Sequence, residues 1–250
     1  MRDLLSGACA FCCVCALLFP AQALAYRPFD STDASVADAG ELEVELGPLG
    51  HLKEGSAKSL VMPSVVANYG LGGDREIVLE GKLLRARGDL EPGTARITMV
   101  DNAVSLKQVL RRGVLQDGAG MSLAAECGIL LPGIRADHGT GAGCALIASH
   151  RWSAATIHLN GAMAFDREHR WNRFAGLIIE GPFDWSVRPV AEVFAENEVN
   201  GTHTRSALVG LIWRTRETLS FDVGVRYART DDMDVRQIRA GLTCTIAAPK

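Results

Sequence analysis

Residues 219–246 read LSFDVGVRYARTDDMDVRQIRAGLTCTI. Apolar side chains occupy every second position from Leu219 to Tyr227 and again from Ile238 to Ile246, with polar or small residues between them. A period of two is typical of β-strands, because successive side chains point to opposite faces of a sheet. Strands of about ten residues have the length that crosses a bilayer at a tilt. The stretch therefore predicts a transmembrane β-hairpin.

The chain upstream contains further segments of the same kind. Candidate strands, about twelve with the hairpin included, cover residues 41–46, 59–70, 75–87, 96–111, 121–131, 142–151, 154–165, 173–183, 187–196, 205–215, 219–229 and 235–246. Residues 106–115 fit a short helix or a strand with a bulge, so the structure of 104–120 stays open. Because an open sheet edge cannot face lipid, the strands must close on themselves. We predict an all-β fold, a single antiparallel transmembrane β-barrel of about 12 strands.

The links between these segments alternate in length. Tight links are predicted at 72–74, 151–153, 184–186 and 216–218, and longer polar ones at 47–58, 88–95, 132–141, 166–172, 197–204 and 230–234, with 112–120 as an exception. Transmembrane barrels have short periplasmic turns and longer outer loops. The alternation favours such a barrel, with both termini in the periplasm, over a soluble β-sandwich.

The N-terminus predicts export. Arg2, the apolar run Ala8–Leu18 and the small residues Ala23-Leu24-Ala25 form the pattern of a secretory signal peptide covering residues 1–25. A periplasmic N-terminal lead at 26–40 follows, then the barrel at 41–246 and a C-terminal tail at 247–250. The formal net charge of −3 provides no basic footprint for nucleic acid, so no nucleic-acid partner is expected.

The cysteines do not predict a disulfide framework. Four of the seven lie within the predicted signal peptide. Cys127, Cys144 and Cys244 remain, each on the apolar face of a candidate strand. An odd, widely spaced set without a C-x-x-C pair favours small apolar side chains over disulfides or a zinc site.

Charged side chains occupy the strand face opposite the apolar one. Each unpaired charge would be strongly destabilising in lipid, so these groups must face an enclosed lumen. Two interpretations remain open: arginine–carboxylate ladders that fill a narrow interior, or the lining of a water-filled passage. The predicted lumen-facing polar residues, as pore lining or ladder, are Glu43, Glu80, Lys82, Glu126, His158, Glu180, Arg188, Glu192, Glu196, Arg214, Asp222, Arg226 and Arg239.

Large aromatic residues lie towards the ends of the candidate strands. Tyrosine and tryptophan concentrate at the two interfaces of a membrane, where the ring meets lipid and the polar atom meets water. Aromatic belts are therefore predicted at Tyr69, Trp152, Trp171, Trp185, Trp213 and Tyr227.

No catalytic or metal site is predicted. Ser149 lies close to His158 in sequence, but no G-x-S-x-G elbow occurs, and neighbouring serine and histidine residues are common by chance. The aspartates at 231, 232 and 234 miss the spacing of a calcium-binding loop. We therefore expect no enzyme activity, no cofactor and no metal.

Four short motifs mark the chain from its lead to its centre: Arg27-Pro28-Phe29 with Thr32-Asp33-Ala34, Gly40-Glu41-Leu42-Glu43, Asp101 with Leu106-Lys107, and Leu130-Leu131-Pro132-Gly133. With the strand ladder, they make nearly the whole mature chain resemble the outer-membrane β-barrels grouped as transporters of the "MetA-pathway of phenol degradation" type. The resemblance implies an outer-membrane barrel that passes small molecules. The chain departs from such barrels at its end, where Ile246 precedes Ala-Ala-Pro-Lys instead of a terminal aromatic residue.

We expect a channel in the outer membrane of a Gram-negative bacterium that passes small, apolar or weakly polar solutes by diffusion, narrowed by its long loops and by the lead folding inward. Its expected partners are the lipid bilayer, the outer-membrane assembly machinery and the small-molecule solute. Two alternatives remain: a non-conducting structural or surface-binding barrel, and a soluble periplasmic β-protein. The sequence does not determine the solute, the oligomeric state, or whether the lumen is open or plugged.

Overall fold

Twelve β-strands make up most of the structure, a computed structural model that describes residues 28–88, 94–199 and 201–247. The strands are β1 (Glu41–Glu54), β2 (Ala57–Gly70), β3 (Arg75–Arg87), β4 (Ile97–Arg111), β5 (Ser122–Leu130), β6 (Gly141–Arg151), β7 (Thr156–Phe165), β8 (Trp171–Glu180), β9 (Val187–Glu198), β10 (His203–Arg216), β11 (Leu219–Thr230) and β12 (Met233–Ala247). Within these residues no helix is long and apolar enough to span a membrane. The predicted signal peptide at 1–25 and residues 248–250 of the tail lie outside the described residues.

The strands form one closed antiparallel barrel. Each strand pairs with its neighbours in sequence, and β1 pairs with β12, with Glu43 opposite Thr245. The hairpin predicted from residues 219–246 is formed by β11 and β12, which pair from Leu219 opposite Cys244 to Thr230 opposite Met233. Closure leaves no strand edge unpaired. The predicted antiparallel barrel of about 12 strands is confirmed.

Alternation along each strand separates two environments. On the outward face large apolar side chains are exposed, with Leu146 at 66% and Val209 at 64%. On the inward face polar side chains are buried, including Glu45 at 2% and Lys107 at 1%. A soluble sandwich would bury its apolar faces against each other, whereas a membrane barrel turns them outward. The outer surface is therefore suited to hydrocarbon.

The six belt aromatics are all exposed. Tyr69, Trp152, Trp185 and Trp213 lie at the end of the barrel where β1 begins and β12 ends, and Trp171 and Tyr227 lie at the opposite end. Two rings of amphipathic side chains flanking an apolar band match the two interfaces of a bilayer.

The links between strands differ less in length than the sequence suggests. Strands β1 and β2 pair to their tips at Glu54–Ala57, and β11 and β12 pair to Thr230–Met233, so the links expected to be long at 47–58 and 230–234 are tight turns. The alternation of apolar and polar residues fades at these strand ends, so the sequence places them too early. In the open region 104–120, β4 runs to Arg111 and a 3₁₀ helix follows at Val114–Gln116.

The expectation that the cysteines form no disulfide is wrong for one pair. Cys127 on β5 lies directly opposite Cys144 on β6, with 4.1 Å between their Cα atoms, and the two are disulfide-bonded. A disulfide requires that the two side chains face each other and that their Cα atoms lie within about 7 Å. The spacing of 17 residues does not reveal the pair, because the register of β5 against β6 sets it.

Candidate functional site

Residues 28–40, here called the inner segment, run through the inside of the barrel. They have no regular secondary structure, and their backbone groups bond to inward-facing side chains of several strands. The described residues of the predicted N-terminal lead therefore lie inside the barrel. Irregular backbone needs hydrogen-bond partners, and the polar lumen supplies them.

Asp30 fixes one end of the inner segment. Its carboxylate accepts hydrogen bonds of 2.8 Å from the Arg239 guanidinium and lies 3.5 Å from the Arg226 Nε. Arg239 also donates to the Pro28 carbonyl at 2.7 Å. Burial raises the pKa of the Asp30 carboxyl, but Arg239 and Arg226 outweigh burial and hold that pKa below its ordinary value. Asp30 is therefore an anionic anchor between β11 and β12.

Glu192 of β9 holds the same end of the inner segment. Its carboxylate accepts the backbone N–H of Ser31 at 2.6 Å and that of Asp30 at 3.0 Å. Next to these contacts, Phe29 packs against Val190 and Ile212 of the barrel wall. Polar and apolar contacts together fix the position of the segment along the barrel axis.

The middle of the inner segment pairs with β7 and β4. Asn160 donates to the Thr32 carbonyl at 2.7 Å and accepts the Thr32 N–H at 3.1 Å, so one amide satisfies both backbone groups. Across the lumen, the Lys107 ammonium lies 3.3 Å from the Thr32 hydroxyl, 3.5 Å from Glu76 and 3.8 Å from Asp33. Lys107 is almost fully buried, and these carboxylates balance its charge.

The other end of the inner segment is held at the end of the barrel where β1 begins and β12 ends. The Ala34 N–H donates to the Ser149 hydroxyl at 3.0 Å, and the Ala37 N–H donates to Glu76 at 2.7 Å. Leu115 of the 3₁₀ helix packs against the cluster that contains Ala34. The segment then joins β1, with the Gly40 N–H donating to the Gly70 carbonyl at 2.8 Å.

A polar ladder crosses β6 to β9 beneath the segment. The Ser149 hydroxyl is 2.8 Å from His158 Nδ1, His158 Nε2 is 3.3 Å from Glu180, and the other Glu180 oxygen is 3.1 Å from Arg188. Serine, histidine and carboxylate in this order resemble a catalytic triad. However, Ser149 is fully buried and its hydroxyl is bonded to the segment, so a substrate has no approach to it. The contacts fit a structural ladder.

A cavity of about 370 Å³ lies beside the inner segment and is lined by residues of β1 to β8. Its apolar lining includes Val66, Val78, Leu130 and Phe174, and its carboxylates are Asp30, Glu45, Glu76, Glu80 and Glu126, with Lys107 as a cation among them. The volume is that of a small-molecule site. The lining therefore offers apolar side chains together with carboxylates that favour positive charge.

The structure places the predicted lumen-facing residues on the inner wall, in different surroundings. It brings Glu180, His158 and Arg188 together in the ladder, and Arg226 and Arg239 together around Asp30. Lys82 forms an ion pair with Asp101, and Arg214 lies over the Phe183 ring at 4.9 Å. The remaining members contact the segment or neighbouring strands or line the cavity: Glu192 with Ser31, Glu43 with Asn68, Glu126 with Ser105, Glu196 with Asn172, Glu80 in the cavity wall, and Asp222 buried on β11.

Several residues that hold the inner segment were not among the predicted site residues. Asp30 belongs to a lead with no periodic pattern, so the sequence carries no signal for its role. Asn160 and Lys107 do carry one, because each alternates with outward-facing apolar neighbours on its strand. Among the described residues, no group of His, Cys, Asp and Glu side chains has the arrangement of a metal site.

The chain matches no protein-family model and no curated protein. It is similar to the solved structure of an outer membrane channel from Pseudomonas putida F1, with a TM-score of 0.64 and 10% identity over 87% of this chain and 100% of the other. It is also similar to the β domain of the Bordetella autotransporter BrkA, with a TM-score of 0.50 and 12% identity over 84% of this chain and 100% of the other. At such low identity these likenesses show the fold, which is that of bacterial outer-membrane β-barrels and agrees with the predicted location.

Proposed function

We propose that this protein is a channel of the bacterial outer membrane in which the inner segment narrows the lumen. The observation that carries the proposal is the cavity of about 370 Å³ inside the barrel, bounded on one side by the inner segment, which is not part of the strand ladder. Small solutes would enter from the cavity side and diffuse past the segment. The apolar part of the lining supports small, apolar or weakly polar solutes.

One observation favours the alternative of a non-conducting barrel. The inner segment contacts β2, β3, β4, β6, β7, β9, β11 and β12. Many small contacts, each worth about 1 kcal/mol, can hold a plug permanently in place. The two functions therefore differ in whether current passes the segment.

Single-channel recording in a planar bilayer separates them. We expect the mature chain to conduct, and a variant lacking residues 26–40 to conduct at least about twice as much, since removing the segment widens the path. Heat-modifiable migration on a gel first establishes that both proteins are folded barrels.

A synthetic peptide with the sequence of residues 26–40 provides the matched control. Added on the side where β1 begins, it should reduce the current of the deletion variant, whereas a scrambled peptide should not. Absence of current in both the mature chain and the folded deletion variant would refute the channel and favour the scaffold.

A further inference from the structure

Four basic residues form a row on the lipid-facing side of the barrel, at the end opposite the start of β1 and the end of β12. Arg236 of β12 lies directly opposite Lys53 of β1, Lys53 lies opposite Lys58 of β2, and Lys58 lies opposite Arg87 of β3. With neighbouring strands about 4.8 Å apart, the row is about 14 Å long. We call these four residues the basic row.

The basic row points away from the lumen. Leu52 and Val235, adjacent in sequence to Lys53 and Arg236, are buried inside the barrel, so alternation turns the two cations outward. Lys58, Arg87 and Arg236 are exposed, and Lys53 is half-buried. A partner of the row must therefore approach from the plane of the membrane.

The arrangement is unfavourable without a partner. Like charges directly opposite each other on adjacent strands destabilise a sheet. Among the described residues the row has one carboxylate neighbour, Asp234, whose oxygen is 4.0 Å from Arg236. By contrast, the lumen pairs Arg188 with Glu180 and Arg239 with Asp30. Within the described part of the chain, Lys53, Lys58 and Arg87 thus have no ion-pair partner, and Arg236 has only this distant one.

A second pair of like charges lies near the same end of the barrel. Arg205 of β10 faces Arg229 of β11 directly, and both are exposed. On β12, Asp234 lies opposite Arg229, so this pair is separate from the row. Within the row, the Arg236 guanidinium lies 5.9 Å from the Tyr227 ring, one of the belt aromatics. Tyrosine marks the depth of lipid headgroups, which places Arg236 at that level.

We propose that the basic row binds the phosphate groups of lipopolysaccharide in the outer leaflet. Lysine and arginine form short charge-assisted hydrogen bonds with phosphate, and basic residues near an anionic membrane surface are attracted by about 1 kcal/mol each. Lipopolysaccharide presents its phosphates beside the barrel wall, which is where the row is. The inference rests on the predicted orientation in the outer membrane, in which β1 begins on the periplasmic side. It does not require the lumen to conduct.

The test measures binding of purified lipid A, the phosphorylated anchor of lipopolysaccharide, to the refolded full-length mature barrel in zwitterionic detergent. We expect the double variant Lys53→Gln with Lys58→Gln to bind bisphosphorylated lipid A about tenfold more weakly than the native chain. The matched control, Arg75→Gln with Arg216→Gln, removes two exposed cations at the opposite end of the barrel. Its affinity for lipid A should stay within about twofold of that of the native chain.

A melting measurement keeps the result independent of folding. Without lipid A, the row variant should melt at the same or a higher temperature than the native chain, because the substitution removes repulsion. With lipid A, the melting temperature of the native chain should rise by more than that of the row variant. Equal weakening in the row and control variants, lower stability of the row variant in detergent alone, or equal stabilisation by inorganic phosphate would each overturn the proposal. None of these results depends on current through the lumen, so the channel stands or falls separately.

Discussion

At the scale of single residues, Asp30 is the strongest link between the inner segment and the barrel. Its carboxylate is shared by Arg239 and Arg226, on adjacent strands β12 and β11. β12 pairs with both β11 and β1, so the anchor joins the segment to the seam where the barrel closes. Loss of the carboxylate would remove the ion-pair partner that Arg226 and Arg239 share.

We expect Asp30→Asn to loosen the inner segment, because hydrogen bonds to charged groups contribute about 1.5 to 3 kcal/mol each. Single-channel records should show open events several times more often than in the native chain. Asp38→Asn removes a charge from an exposed position of the same segment and should leave the records unchanged. Identical behaviour of the two variants would contradict the anchor.

The difference in melting temperature between the native and Asp30→Asn proteins should shrink as pH falls. Because Arg239 and Arg226 lower the pKa of Asp30, the ion pair stabilises the bound segment at every pH above the ordinary carboxyl value of 3.8. This stabilisation is lost as pH falls through the lowered pKa. Melting temperatures of the two proteins should therefore differ by a constant amount from pH 7 to pH 5 and converge only below pH 3.8.

At the scale of elements, the inner segment and β2 meet without side chains between them. A Cβ atom at Gly70 would overlap the backbone carbonyls of Asp38 and Ala37. The absence of a side chain at Gly70 therefore lets the segment turn tightly into β1. The contact shows that the path of the segment and the end of β2 depend on each other.

Gly70→Ala should displace the turn at 37–40 and destabilise the barrel by about 1 to 3 kcal/mol, the range for overpacking a tight contact. Urea unfolding in lipid vesicles measures the change. Gly161→Ala is the matched control, since a Cβ there meets nothing within 4 Å. Equal stability of the two variants would show that the turn adapts freely.

At the scale of the whole molecule, the lumen is electrically uneven. Strands β1 to β5 carry Glu45, Glu76, Glu80 and Glu126 in the cavity wall. The arginines of β9, β11 and β12 are bound to carboxylates, as in Arg188–Glu180 and Arg239–Asp30. A solute that uses the cavity therefore passes a wall of net negative charge.

Because acidic walls favour cations, we expect the channel to prefer potassium over chloride in a salt gradient. Glu80→Gln with Glu126→Gln should lower the permeability ratio by about twofold or more, read from the reversal potential. Glu217→Gln, in the exposed turn between β10 and β11, removes a carboxylate outside the lumen and should not change it. A native channel that prefers chloride would refute this assignment.

The sequence by itself determined which strands form and which face of each meets lipid. Alternation with a period of two records this directly, because apolar side chains must face hydrocarbon and charged ones must avoid it. Closure into a barrel follows from the same requirement, since no edge can be left in lipid. The inward position of Glu180, Arg188 and Arg239 could therefore be predicted.

Only the tertiary structure decided which of these groups meet. Asp30 and Arg239 are 209 residues apart, and Thr32 and Asn160 are 128 apart, so no local pattern relates them. Strand register brings Cys127 to Cys144 and aligns the basic row, and this register is set by pairing along whole strands. The inner segment lacks periodicity, so its path depends on partners that exist only once the barrel has closed around it.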